Sequence, residues 1–338
     1  MPEANFIRNI FGWRKGFNAM FAINMCIKLN IINTLNEKSF SKVEEIANIL
    51  GLKIKPLKVL LDYGVSIDIF QKKEEKYALT KECEKVLVFD EHSINYLGGY
   101  VSLGADFAPN DYNRYAEVFQ GEKYIPFQNR GEEFFKTVRD AIHGLHNAVS
   151  NFILPKILGL ESELNTGLKI LDFGCGTGNQ IIKIAQKWES SQITGIDIDE
   201  SSIKIAKNEV KKLGLEDKVK IFNYEDYDKI NHFDLIIMVE VFHEISENKR
   251  LDYIKFCNDK LKDNGLLVIL DETYPDTDEE FKMYEFQFPL QTSFEELFWG
   301  NFIPTRSSQE SILKNAGFKK VINRKIVGEG FSLIYTKK

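Results

Sequence analysis

The run Leu168-Lys169-Ile170-Leu171-Asp172-Phe173-Gly174-Cys175-Gly176-Thr177-Gly178-Asn179 limits what this chain can fold into more than any other stretch. An apolar, strand-like segment enters three glycines at alternate positions, and a helical pattern over Asn179–Lys187 follows. Glycine is required where the backbone takes positive φ or where a ligand lies against the chain. A strand, a glycine turn and a helix in that order form the ligand-binding turn of a doubly wound α/β sheet. The dinucleotide version of the turn reads G-x-G-x-x-G, with a pyrophosphate over the helix N-terminus. Here the spacing is G-x-G-x-G, and Asn179 stands where that third glycine would be. This fits a cofactor without a pyrophosphate.

The chain beyond the turn supports the same architecture. Strands are predicted over Gln192–Asp197, Val219–Asn223, Phe233–Val239 and Leu266–Asp271, with helices over Ser201–Leu213 and Asn248–Leu261. Alternating apolar strands and helices imply a parallel sheet covered on both faces. The end departs from this: Lys319–Val327 and Phe331–Thr336, joined by Gly328-Glu329-Gly330, predict an antiparallel hairpin.

Acids stand at successive strand ends. Asp197, about 20 residues beyond the glycine turn, is placed to accept from both hydroxyls of a ribose. Asp199 is its rival for that role, or else the cap of the next helix. Asp226, in Tyr224-Glu225-Asp226-Tyr227, is placed to accept from an adenine amino group.

At 338 residues the chain exceeds one ordinary core. We expect an N-terminal domain over 1–90, a helical linker over 91–165 that contributes to a substrate pocket, and a cofactor-binding domain over 166–338. Apolar residues from Phe6 to Leu35 cover too wide a face for a lone surface helix; they form either core or a subunit interface. Ser41 with Glu44 reads as a capping box, Gly51 ends that helix, and a second helix opens at Pro56. Ile67–Phe70 and Lys76–Thr80 then alternate like hairpin arms, completing a winged-helix order. Ser41 to Asp90 carries nine basic and nine acidic residues, and the whole chain has a net charge of -6, which argues against a nucleic-acid partner.

Cys26, Cys83, Cys175 and Cys257 lack C-x-x-C pairing, which speaks against a disulfide framework and a zinc site; no metal is expected. No apolar run is long enough to span a membrane, and Glu3 stands where a secretory signal would carry bases. A cytoplasmic protein is the expectation.

With these residues in place, the sequence resembles the class I S-adenosylmethionine-dependent methyltransferases. It is most similar to the small-molecule O-methyltransferases that carry an N-terminal winged-helix dimerisation domain. Leu171–Asn179 is like that family's first motif, Val43–Thr80 like its N-terminal domain, and Val241-Phe242-His243-Glu244-Ile245-Ser246-Glu247 like its "L-H-D-W-x-D-E". The resemblance implies a Rossmann-like seven-stranded, mostly parallel sheet of order 3-2-1-4-5-7-6, a homodimer built through the N-terminal helices, and S-adenosyl-L-methionine as cofactor. Asp172, Gly174, Gly176, Gly178, Asp197 and Asp226 are the candidate residues for holding it.

Methyl transfer is an in-line displacement, so alignment in a dry pocket and removal of the nucleophile's proton do most of the work. His243 follows the strand Phe233–Val239 and matches the family's general base. Asp271, at the end of its strand, matches the family's orienting glutamate with a shorter side chain. Counting back from Ala316-Gly317-Phe318 puts the second flanking glutamate at Ile303 or Thr305, neither of which is an acid. His232 precedes its strand and reads as structural, while His143 and His146 are further pocket candidates. Phe281 to Phe302 is dense in aromatics, which suits a flat acceptor or a tight core. The expected activity is methyl transfer to a hydroxyl of a small aromatic metabolite. The alternatives are transfer to carbon or nitrogen, and a non-catalytic winged-helix regulator that binds the cofactor.

Overall fold

The computed structural model describes residues 2–121, 124–127, 130–225 and 232–338. They form two compact units, Met1–Asp111 with Lys136–Asn147, and Tyr112–Phe135 with Ala148–Lys338. Residues 91–165, expected as a linker, are thus divided between the two.

The first unit opens with the long helix α1 (Pro2–Lys28), followed by α2 (Ile31–Lys38). After β1 (Ser41–Lys42) come α3 (Val43–Leu50) and α4 (Ile54–Ser66), then β2 (Phe70–Lys73), β3 (Lys76–Leu79) and α5 (Lys81–Leu87). The three strands form a sheet of order β1-β3-β2. Ile32, Leu35, Ile46, Leu61, Phe70 and Tyr77 anchor its core. The winged-helix order is therefore present, with two local corrections. Ser41 pairs with Tyr77 across the sheet and stays extended, so α3 starts one residue later than expected. Glu45 and not Glu44 closes the turn, accepting from the Lys42 amide at 2.9 Å. In the hairpin, Glu74 and Glu75 both take positive φ (47° and 60°), a two-residue turn that pairs Phe70 with Leu79. The first arm accordingly begins at Phe70.

The apolar face of α1 resolves into two parts. Cys26 and its neighbours near the C-terminal end join the core, whereas Phe6, Phe11 and Trp13 are 59%, 65% and 62% exposed.

The second unit is built on seven strands: β4 (Lys169–Phe173), β5 (Gln192–Asp197), β6 (Val219–Asn223), β7 (Phe233–Val239), β8 (Leu261–Asp271), β9 (Asn323–Val327) and β10 (Phe331–Lys337). Their order is β6-β5-β4-β7-β8-β10-β9. Numbered within this unit, that is 3-2-1-4-5-7-6. The first five are parallel, and β10 runs antiparallel to both β8 and β9, the reversed strand that the final hairpin predicts. Helices α6 (Asn179–Lys187), α7 (Glu200–Lys212) and α8 (Glu247–Lys260) make the crossovers, and α9 (Gln287–Glu295) and α10 (Arg306–Asn315) follow β8. Leu171, Ile236, Met238, Ile254, Leu267 and Ile269 are at most 1% exposed and form the centre of the core. Strands buried on both faces explain the near-continuous apolar runs in the sequence. Among the described residues no helix is long and apolar enough to cross a membrane.

Candidate active site

The parallel strands β4, β5, β7 and β8 all end at one edge, and the loops there carry the chemistry. This is where an open α/β sheet binds its ligands.

The glycine turn leaves β4 with Gly174, Gly176 and Gly178 at φ 78°, 49° and 83°. Their reasons differ. A Cβ on Gly174 would lie 2.6 Å from the Val241 side chain, and one on Gly178 would lie 2.9 Å from that of Ala206. Around Gly176 nothing lies within 4 Å, so its left-handed backbone borders open space. The turn is held to β5: the amides of Gly174 and Cys175 both donate to the Ile196 carbonyl, at 2.8 and 3.0 Å. The Gly176 amide donates to Asp197 Oδ2 at 2.7 Å, and the Asp199 amide to Asp197 Oδ1 at 2.9 Å. Asp199 itself caps α7, accepting from the Ser202 amide at 2.6 Å. Asp197 thus sits with the glycine turn, and Asp199 is committed to a helix end.

Asp172 is 3% exposed beneath the turn. Burial, reinforced by the Asp197 charge, pushes its carboxyl up to about 8. Burial also raises Asp197, against the opposing effect of its backbone amides. The half-buried Asp197 carboxylate beside an open, glycine-lined backbone is an acceptor placed for hydroxyls, which fits the ribose of an adenosyl sulfonium cofactor. Asp226 lies outside the described residues.

The second half of the site stands at the ends of β7 and β8. Asp271 closes β8 with 0% exposure, and one carboxylate oxygen organises the loop opposite it. Asp271 Oδ2 accepts from the amides of Val241, Phe242 and His243 at 3.2, 2.7 and 3.3 Å. Asp271 Oδ1 accepts from the Glu272 amide at 2.8 Å and lies 2.7 Å from His243 Nδ1. The two residues expected to act together are therefore in direct contact. Arg250, from α8, ties the same loop down by donating to the carbonyls of Ile245 and His243 at 2.8 and 3.1 Å, and to that of Phe302.

Three glutamates join this pair that the sequence reading did not assign. Glu296 Oε2 lies 3.1 Å from His243 Nε2. It takes the flanking place expected of Ile303 or Thr305. Ile303 is instead core, and Thr305 caps α10 by accepting from the Ser308 amide at 3.2 Å. Glu272 Oε2 lies 3.4 Å from His243 Nδ1, while its Oε1 accepts from the Thr292 hydroxyl at 3.0 Å. Glu240 follows β7 with φ 56°, a left-handed conformation costly for a side chain of its size and commonest at functional positions. The signals that point to Glu272 and Glu296 were the paired acids Asp271-Glu272 and Glu295-Glu296, the latter inside an aromatic run.

The electrostatics follow from burial. Desolvation pulls the His243 imidazole down, but Asp271 and Glu296 outweigh it and hold the ring well above its ordinary value. Burial pushes Glu272 up to about 7 and Glu244 up to about 8, each moderated by His243. The carboxylates around His243 thus favour the protonated form of its ring.

The remaining candidates fall elsewhere. His143 lies in the N-terminal unit, with Nε2 3.0 Å from the Glu91 carbonyl and its ring against Phe89 and Tyr96. His146 is buried in the same unit, and His232 is exposed. The aromatic stretch divides. Phe298 is fully buried and stacks on Tyr115 at 5.8 Å, and Trp299 packs edge-on to Phe134, whereas Phe294 and Phe302 are about half exposed. Arg130 lies over the rings of Phe134, Phe298 and Trp299, a basic residue set among these aromatics.

Comparison with known proteins agrees with this architecture. Residues 13–88 match the family model of the O-methyltransferase dimerisation domain. Residues 139–329 match that of mycolic acid cyclopropane synthetase. The chain is 30% identical over 180 residues to the carboxy-S-adenosyl-L-methionine synthase of Nautilia profundicola, covering 48% of this chain and 74% of that one. It is 22% identical over 261 residues to O-methyltransferase 7 of Dictyostelium discoideum, covering 74% and 72%. The fold also aligns with human N-acetylserotonin methyltransferase in complex with S-adenosylmethionine, at a TM-score of 0.72 and 16% identity over 98% of this chain and 97% of that one.

Proposed function

The chain belongs to the S-adenosylmethionine-dependent methyltransferases, with a catalytic domain of the mycolic acid cyclopropane synthetase family behind an O-methyltransferase dimerisation domain, and from that premise we propose that it methylates a hydroxyl of a small aromatic metabolite, with His243 as the base. The observation that carries this reading is the His243 geometry: Nδ1 is fixed by Asp271, and Nε2 faces the site with no aligned hydrogen-bond partner. The cofactor, when bound, supplies an electrophilic methyl group and the positive charge of its sulfonium.

The residues present would hold it as follows. Gly174, Gly176 and Gly178 let the backbone approach closely, Asp197 accepts from ribose hydroxyls, and Asp172 faces the turn from below. Asp226 is placed by the sequence to take the adenine amino group.

Proton removal needs a neutral imidazole, whereas the surrounding carboxylates favour a protonated one. Glu296 supplies part of that charge preference through its place at Nε2. An acceptor hydroxyl arriving at Nε2 displaces Glu296, which leaves with the Nε2 proton as a carboxylic acid. The ring is then neutral, with a free lone pair at Nε2 facing the proton donor. Asp271 keeps Nδ1 protonated throughout, so the incoming proton goes to Nε2. The exposed apolar residues of α1 support pairing of two copies through the dimerisation domain.

His243→Ala should leave S-adenosylmethionine affinity unchanged by calorimetry and lower turnover at least ~10²-fold on an acceptor found by screening phenols, quinones, tetrapyrroles and amines. Unchanged turnover would sink the base assignment. The carboxylates on both ring nitrogens of His243 favour a second reading, transfer to carbon or nitrogen with His243 orienting the acceptor. That reading predicts C- or N-methylated product in the same screen.

A further inference from the structure

Beside His243, the enclosed carboxylate oxygens Glu240 Oε1 and Glu272 Oε2 have no hydrogen-bond donor. Glu272 is 1% exposed, and its Oε2 lies 3.4 Å from His243 Nδ1. Glu240 stands just after β7, on left-handed backbone. One side-chain oxygen or nitrogen from each of Glu240, His243, Asp271 and Glu272 lies within 4.8 Å of the other three. Asp271 differs from the two glutamates, because its oxygens already accept from four backbone amides and face Nδ1. Glu296 stands on the other side of the ring, at Nε2.

Two ionised carboxylates this close repel each other, and a buried acceptor without a donor is costly. One proton between them serves both. One carboxyl then donates, the other accepts, and the pair keeps a single negative charge. The spacing admits that bond directly or through one water. Burial raises both carboxyls, Glu240 further through the Glu272 charge, and Glu272 to about 7 against the pull of His243. The other groups around the pair are fixed. Asp271 and Glu296 add negative charge, the Thr292 hydroxyl donates to Glu272 Oε1, Glu244 follows His243 on its loop, and Arg250 is tied to the carbonyls of that loop.

We propose that Glu240 and Glu272 share one proton and act together as a positioning pair, keeping a single negative charge on the Nδ1 side of His243. A doubly charged pair would hold the ring cationic and oppose the loss of its Nε2 proton to Glu296. An uncharged pair would leave the imidazolium formed in the reaction with less counter-charge. The role assigned to the pair rests on His243 being the base; the shared proton itself does not.

Infrared difference spectra of the protein alone, in H₂O and D₂O near neutral pH, compare protonated carboxyls in wild type, Glu240→Gln, Glu272→Gln and the double variant. Each single variant should lose the same protonated-carboxyl band, because the new amide donates to the remaining carboxylate in the proton's place. The double variant should lose no more than either single one. A band that survives in either single variant, or losses that add in the double variant, overturns the shared proton. The ¹⁵N titration of the His243 ring reads the role. Its midpoint should lie about one pH unit or more lower in the double variant than in either single variant, which keeps one charge. Equal midpoints overturn the positioning role. Unchanged turnover in His243→Ala would remove the base and leave the shared proton standing. S-adenosylmethionine binding by calorimetry checks folding. If a glutamine variant does not bind cofactor, wild type labelled with ¹³C at its glutamate carboxyls decides: two resonances reporting the same two midpoints support the pair, and glutamates that each titrate once overturn it.

Discussion

Replacing Asp271 by asparagine removes one negative charge and almost no volume, which makes it a direct test of how the catalytic loop is held. Asp271 Oδ2 serves three amides, and Oδ1 serves the Glu272 amide and His243 Nδ1. Asparagine has one carbonyl oxygen to offer. If it stays opposite the three amides, the new NH₂ group confronts the Glu272 amide and Nδ1. His243 can yield by releasing its Nδ1 proton and accepting, but the buried Glu272 amide cannot. A lost charge-assisted bond is worth ~1.5–3 kcal/mol and a stranded buried donor ~1–3 kcal/mol, so the net loss should be about 2–4 kcal/mol. Urea unfolding with an unchanged slope would report it. The ¹⁵N spectrum of the ring supplies an independent reading: wild type should show both nitrogens protonated near neutral pH, and Asp271→Asn only Nε2. Turnover should fall ~10²–10⁴-fold, because the wrong nitrogen then carries the proton. A variant less than ~1 kcal/mol destabilised, with an unaltered ring spectrum, would refute the account of the loop.

Two further outcomes follow from the cofactor half. Asp172 has its folded-state pKa raised to about 8, chiefly by burial, so the native state holds a proton that the unfolded chain releases near pH 4. Native stability should therefore decline as pH rises from about 4 to 8, and Asp172→Asn should unfold at a higher temperature than wild type at pH 8 but not at pH 4.5; parallel melting curves at both pH values would count against it. Asp199→Ala should cost about 1 kcal/mol through the lost cap of α7 and leave cofactor affinity intact, whereas Asp197→Ala should abolish measurable S-adenosylmethionine binding by calorimetry.

The parts of the molecule that were readable from sequence are those where local chemistry dictates the answer. Strand β4, the three glycines and the acid ending β5 follow from burial on both faces and from positive φ. Their spacing carries the meaning. The adjacency of His243 and Asp271 was legible because one follows β7 and the other ends β8, and neighbouring parallel strands bring their ends together. Glu296 was not, since it reaches His243 from a segment without periodic pattern, 53 positions further along the chain. The hairpin arms slipped because Glu74-Glu75 adopts a turn that normally advertises itself with asparagine or glycine. Ser41 was misread because its strand pairing to Tyr77 overrode a good local cap. In each of these cases a distant partner decided a local choice.

The suspension of the glycine turn from strand β5 has a thermodynamic side. Three of its amides are already engaged by Ile196 and Asp197 before any ligand arrives. In the proposed cofactor site the glycine turn and the Asp197 carboxylate are therefore one preassembled piece, and binding need not freeze a loose loop. The ordering entropy that usually weakens recognition has been settled during folding, and cofactor affinity here is set by contacts and charge instead.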